Sequence, residues 1–427
     1  EMCISPVWGS PGDDDLEKLP SSVVVSISSD DGRDLKAGLE RGEVTVQVIA
    51  AVETGWRETP ILVADLPGPK GSPDEPFILF SGHHDTWYFG VMDNGGANAT
   101  MLEVSRLCAR HREEWKRGLR VIYWSGHSQG RYSSSAWYAD QNWFELERRA
   151  LVHVNVDSTG GLGNTVVSDT TAAAELAALA SDALQAEAGQ TFSGRRKQRA
   201  GDQSFWGIGV PAIYGNMSEQ PAQPGEVNAS AAVFGGGDRK GAGTGWWWHT
   251  PDDLRDKMDP DLLVRDTGIY LRTVWRLLTD SLLPLDYKEQ SSRLRLTLEK
   301  HAQQAKEHLD LAGLVQLAER LQQSLEPLYS DPPEAELFNE TLRRLGRCLV
   351  PVDYTYGDRF AHDPALSLPE LPALGDCVRL QALSPGSAEA LHLASRLKRA
   401  ANRVEFQLRT ALEACERASA GRQAEVS

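Results

Sequence analysis

The sequence predicts an α/β protein, a mostly parallel sheet with helices on both faces. Three observations carry that prediction. Four short, mainly apolar runs, Phe77 to Phe80, Leu119 to Trp124, Leu151 to Val156 and Ala212 to Tyr214, have the length and composition of buried strands. Amphipathic stretches such as Asn98 to Arg112 and Ser133 to Asn142 lie between them, and strand–helix alternation of this kind builds a parallel sheet. After about Pro284 the strand signals stop and long helical periodicities take over.

Taken in order, residues 1–67 carry β-branched runs, Ser22 to Ile27 and Val44 to Val52, divided by Asp30-Asp31-Gly32 and by Gly42. They read as a small, mostly β module with one helix over Arg33 to Leu39. The chain opens at Glu1-Met2-Cys3-Ile4, inside what reads as a strand under way, so upstream sequence is expected. Pro67-Gly68-Pro69 reads as a hinge into residues 68–283, which carry the strand–helix alternation. Residues 284–427 show helical periodicity over Gln290 to Ala312, Leu314 to Leu325, Ala335 to Leu349 and Ala388 to Ala418, broken by a proline-containing loop from Pro351 to Pro372. This tail is expected to form a helical bundle offering a dimerisation surface.

A chain of 427 residues exceeds the roughly 250 to 300 that one core supports, in keeping with two or three domains. Its net charge of −16 argues against nucleic-acid or anionic-membrane partners, which need a cationic face. The cluster Arg195-Arg196-Lys197 reads as a solvated surface face. No apolar run approaches the ~20 residues of a membrane span. Five cysteines, Cys3, Cys108, Cys348, Cys377 and Cys415, are scattered without metal-ligand spacing and read as reduced and mostly buried, giving a cytoplasmic expectation.

The chemistry gathers where strands end. The first run turns at Ser81-Gly82 into His83, His84 and Asp85, and Asp93 follows in a loop of small residues with Asn94, Gly95 and Gly96. The third ends in Asp157. Far along, Trp246-Trp247-Trp248-His249-Thr250-Pro251-Asp252-Asp253 reads as a helix start, with Thr250 or Asp252 as cap and Pro251 in the first turn. His83, Asp93, Asp157 and His249 make an N2O2 set of the kind zinc takes, imidazole nitrogen and carboxylate oxygen at about 2.0 to 2.2 Å.

The segments GHHD, the Asp93 loop, VNVDS and WHTPDD, in this order and spacing, resemble the zinc exopeptidase family that contains aminopeptidases, glutamate carboxypeptidase and the transferrin receptor. Gly201-Asp202-Gln203-Ser204-Phe205 followed by Gly209-Val210-Pro211-Ala212 matches in style. The resemblance implies that residues 1–67 correspond to part of a protease-associated domain and residues 284–427 to a homodimerisation domain. By position it implies that His83, Asp93 and Asp157 hold one metal, that Asp93 bridges to a second held by His249, and that Asp85 orients His83.

The departure from the family is at Trp124-Ser125-Gly126-His127-Ser128-Gln129-Gly130, where the family has two adjacent glutamates, a general base and then a ligand. His127 stands at the base position and Ser128 at the ligand position. A neutral serine is a poor ligand for a dication, so one metal per chain, most simply zinc, is expected rather than two. A histidine can take a proton near neutral pH, or can itself bind the metal. The reading is a metal-dependent hydrolase of an amide or peptide-like bond, aminopeptidase- or carboxypeptidase-like, acting on small peptide-like or N-acyl amino acid substrates, with Ser128 hydrogen-bonding substrate or water.

Two rivals stand beside it. Gly126 to Gly130 satisfies G-x-S-x-G, and Ser128, Asp202 and His249 follow the chain order of a serine-hydrolase triad. Loss of both glutamates also fits a catalytically inactive, receptor-like scaffold. Among single residues, His84 reads as structural or as pocket wall and His153 as a satisfied core group. Trp246 to Trp248 read as core or pocket lining, Arg131 as a surface ion pair or a partner for a substrate carboxylate, and His362 takes no role.

Overall fold

The computed structural model describes residues 5–51, 53, 55–222 and 243–426. Cys3 and most of the glycine-rich stretch before His249 lie outside them. Helix α1 (Ser29–Arg41) is capped by Ser28, whose hydroxyl accepts from the Asp31 N–H at 3.0 Å. The β-branched runs on either side of α1 form no strand among the described residues, contrary to expectation. Val23, Val24, Ile27, Val46 and Ile49 stand exposed instead. β-propensity acts through packing on a half-buried sheet face, and among the described residues these runs have neither a partner strand nor such a face.

One five-stranded sheet, in the order β1-β3-β2-β4-β5, comprises β1 (Leu62–Leu66), β2 (Phe77–His83), β3 (Gly118–Trp124), β4 (Ala150–Asp157) and β5 (Ala212–Asn216). Strands β2 to β5 are parallel, at the places their apolar runs predict. β1, which falls before the expected hinge, joins the sheet as its antiparallel edge. Opposite charges fix that edge: Asp65 sits across from Arg120, whose guanidinium donates to it at 2.6 Å and to Glu145 at 2.8 Å.

The chain passes from β2 through α2 (Ala97–Ala109) to β3 on one side of β2. It then passes through α3 (Ser133–Gln141) and α4 (Trp143–Arg149) to β4 on the other side, and through α5 (Ala177–Ala188) to β5. The strand order therefore reverses at β2, and the crevice beyond the carboxyl end of such a strand is where α/β sheets bind ligands. Alternate residues of β2 feed two cores. Ile78 and Phe80 pack with Met101 and Val104 of α2 and with Ile269 and Val274 of α6 (Pro260–Thr279). Phe77 and Leu79 pack with Ile122, Trp124, Tyr138 and Leu146 on the other face.

The tail is helical as expected, with α7 (Tyr287–Ala305), α8 (Ala312–Ser330), α9 (Ala335–Tyr354), α10 (Cys377–Gln381) and α11 (Ala388–Val426). Pro351, expected to open a loop, lies inside α9, which runs on to Tyr354. The tail's apolar side chains, among them Leu321, Leu345 and Leu408, belong to the same buried cluster as Ile78 and Phe80. Cys108, Cys348, Cys377 and Cys415 are buried and unbridged. No helix among the described residues is long and apolar enough to cross a membrane.

Candidate metal centre and active site

Pairing in the sheet assembles the site. Gly82 lies opposite Val156 on β4, which brings His83 beside Asp157, and His83 lies opposite Trp124, which brings the 125–130 loop alongside. Gly82 is required here, since a Cβ would sit 2.6 Å from the Val156 carbonyl and 2.9 Å from Met101 Sδ.

The His83 Nε2 stands 3.0 Å from Asp93 Oδ1 and 3.5 Å from Asp157 Oδ1, and the His249 Nε2 stands 2.8 Å from Asp93 Oδ2. Asp93 thus bridges two histidines. Its loop is held by Asp253, whose carboxylate accepts from the Met92 and Asp93 N–H groups at 2.9 and 3.0 Å. Asn94 ties the same loop to both strand ends, donating to the carbonyls of His83 and Val156 and accepting from the Ser158 N–H.

A cation fits this arrangement. The His83 Nδ1 lies 2.7 Å from the Asp85 main-chain carbonyl, which can only accept, so the proton is on Nδ1 and the Nε2 lone pair faces two carboxylates. His83 Nε2 and Asp93 Oδ1 are buried, and neither has a hydrogen-bond partner of proper geometry among the described residues. Positive charge is what such a pair lacks, supplied by a second proton or by a metal. The pKa directions agree. Burial pushes His83 down, but Asp157 and Asp93 outweigh it and hold the imidazole well above its ordinary value. Burial pushes Asp93 up, but His249 and His83 hold it well below the usual carboxylate range.

His127 stacks on His83 with ring centroids 3.8 Å apart. Its Nδ1 meets Asp202 Oδ2 at 2.7 Å, and its Nε2 points toward Asp157 Oδ2 at 3.9 Å. Its N–H donates to Asp85 Oδ2 at 3.0 Å. The preceding turn needs Gly126, whose φ is +65° and whose Cβ would lie 2.2 Å from Ser133 Oγ. Asp202 is 1% exposed; burial raises its pKa, and His127 more than compensates.

The structure therefore brings together His83, Asp93, Asp157, His249 and His127, with Asp85 and Ser128 beside them. Several details differ from the sequence reading. His249 lies in a tight turn at φ +61°, not directly before a helix: Asp253 turns back to the Asp93 loop, a single 3-10 turn follows at Arg255–Lys257, and the α-helix waits until Pro260 with Asp259 as its cap. Asp85 orients His83 through its carbonyl, while its carboxylate braces His127. The parts of the serine triad take other partners, Asp202 with His127 and His249 with Asp93. The helix after the elbow starts only at Ser133, and the positive-φ residues there are Gly126, Arg131 and Tyr132 rather than Ser128.

The Arg195–Lys197 cluster is no solvated face. Arg195 pairs with Glu219 at 3.0 Å, Arg196 pairs with Asp353 at 2.8 Å, and Lys197 is buried. Trp247 is core, Trp246 is exposed, and Trp248 stacks on His249 at 3.6 Å in the pocket wall. His84 reaches the Pro60 carbonyl, and His362 pairs with Asp140. His153 bonds Ser81 Oγ through Nε2, leaves Nδ1 without a partner among the described residues, and is pushed down by burial to about 3. Asp253 and Asn94, which hold the Asp93 loop, were not singled out from sequence.

A parallel sheet that delivers histidines and carboxylates to the crevice at its switch point defines an α/β domain with a candidate metal centre. Residues 62–274 match the model of Peptidase family M28, and the chain fits a zinc-exopeptidase-like family. Carboxypeptidase Q of Xenopus laevis is 27% identical over 155 residues, 35% of this chain and 31% of that protein. A probable glutamate carboxypeptidase, VP8 of Zea mays, is 28% identical over 100 residues, 22% of this chain and 14% of that one. The chain thus spans less than a third of the length of the curated relatives it matches. Among solved structures, BSAP, a zinc aminopeptidase from Bacillus subtilis, aligns with a TM-score of 0.41 at 17% identity, covering 52% of this chain and 50% of that one.

Proposed function

We propose that the protein is a metal-dependent hydrolase of small amide or peptide-like bonds, with His127 as general base. The observation that carries this reading is the meeting of His83, Asp93, Asp157 and His249 at one strand-end crevice, beside a histidine held by a buried aspartate. Those four residues would hold one divalent ion, zinc by the nature of the donor set, with Ser128 too weak a donor to complete a second site. Such an ion supplies an electrophile that polarises the scissile carbonyl and acidifies water.

The protein's own groups do the rest. Asp202 accepts from His127 Nδ1–H, which leaves the Nε2 lone pair facing the crevice. There it takes the proton of the attacking water and returns it to the departing amine. Asp85 fixes the main chain at His127. Ser128 lines the pocket, placed to bond substrate or water.

A second reading is favoured by one observation: His83, His127 and Asp157 each offer a ligand atom, and these all lie within 4.8 Å of one another, so that His127 would ligate rather than act as base. The His127→Ala variant decides. As a base, its loss abolishes hydrolysis of dipeptides and N-acetyl amino acids while elemental mass spectrometry still finds about one metal per chain. Loss of the metal together with activity would establish the ligand role. A wild-type protein that binds no metal after incubation with zinc or manganese would refute the metal-dependent hydrolase and return the scaffold or the Ser128 nucleophile, between which a serine-directed probe chooses.

A further inference from the structure

We propose that Lys197 anchors a carboxylate of the substrate, so that the amide this site takes carries a free acid group close to the bond that is cleaved. The inference rests on the hydrolase reading above and names its substrate class.

Lys197 is 5% exposed and lines the same pocket as Asp93, Asp157 and His249. Its ammonium has three donors. One goes to the Tyr214 carbonyl, and no carboxylate lies within 4.0 Å of Nζ among the described residues. Asp157 and Asp202 favour its charge only from a distance, and a buried cation without a direct ion pair is costly, so an anion that enters the pocket relieves that cost. The backbone makes room for the head group: Gly215 has φ +142°, and a Cβ there would lie 2.7 Å from Lys197 Nζ. Burial lowers the Lys197 pKa to about 8, which leaves the ammonium the major form at pH 7.

The other charges of the pocket point the same way. Arg131 lines it too; its guanidinium bonds only the Ala365 carbonyl among the described residues, at 3.0 Å, and has an Nε without a partner there. Asp169 and Glu219, carboxylates that would otherwise attract a substrate's amino group, already have partners.

The test uses 4-oxopentanoate, a ketone analogue of an acetylated amino acid with no amide to cleave, and its neutral amide 4-oxopentanamide. Affinities are measured by ligand-observed NMR on the full chain. The wild type should bind the acid at least about tenfold more tightly than the amide, and Lys197→Met should remove that preference while leaving amide binding and metal content unchanged. Lys197→Arg, which keeps the charge, should retain it and serves as the comparison if the Met variant does not fold. Equal binding of acid and amide by the wild type, or undiminished acid binding by Lys197→Met, would overturn the assignment. Because the readout is binding rather than turnover, absence of catalysis would leave it intact, so the two readings fail separately.

Discussion

Glu175 lies in a short 3-10 turn where the sheet domain meets the tail, and it is fully buried. Neither carboxyl oxygen has a hydrogen-bond partner among the described residues, and the nearby Arg196 is committed to Asp353 at 2.8 Å. Burial pushes the carboxyl from its ordinary 4.5 up to about 8. The folded protein therefore keeps a proton that the unfolded chain releases, and stability falls as pH rises through this window, by about 1.4 kcal/mol per pH unit. At pH 7.5 the accumulated penalty is at most about 4 kcal/mol (3 pH units × 1.36), less whatever water or relaxation relieves. Glu175→Gln keeps the shape and removes the ionisation. Its melting temperature should equal that of the wild type near pH 4, below the unfolded pKa, exceed it increasingly up to pH 8, and rise no further beyond. A difference that does not change with pH, or a variant less stable than wild type at pH 8, would refute the reasoning.

The site supplies the remaining predictions. Asp202→Asn should lower kcat by about 10- to 100-fold with little change in KM or metal content, read by steady-state kinetics with elemental analysis, because the amide no longer fixes the His127 tautomer. Ser128→Ala should retain most of the activity, and a fluorophosphonate should fail to label the wild type; labelling at Ser128 with a dead alanine variant would establish the serine nucleophile instead.

The buried parallel strands were legible because a strand covered on both faces reads as an unbroken apolar run, as Phe77 to Phe80 and Leu151 to Val156 do. The edge strand at Leu62–Leu66 was not, since its place depends on Asp65 meeting Arg120, 55 residues away. The runs around Val24 and Val46 misled for the opposite reason, carrying local propensity without a partner. At the site, residue types and strand-end positions brought out His83, Asp93, Asp157 and His249, and the family resemblance brought out His127. What they do to one another was hidden: the His127–Asp202 bond joins residues 75 apart, and Asp253, which takes no role in the sequence reading, serves the Asp93 loop 160 residues away. Lys197 misled because three adjacent cations look like surface, whereas each of them is held by a different part of the fold.

The buried cluster that runs unbroken from β2 to Leu408 makes the tail more than an attachment. Sheet and bundle have no separate interiors along that face, so neither can loosen without wetting the other, and heat or denaturant should meet them as one cooperative unit. A substitution deep in α9 or α11 then reports at the crevice as lost rigidity, and the precision with which β2 presents His83 is underwritten by helices more than two hundred residues further along the chain.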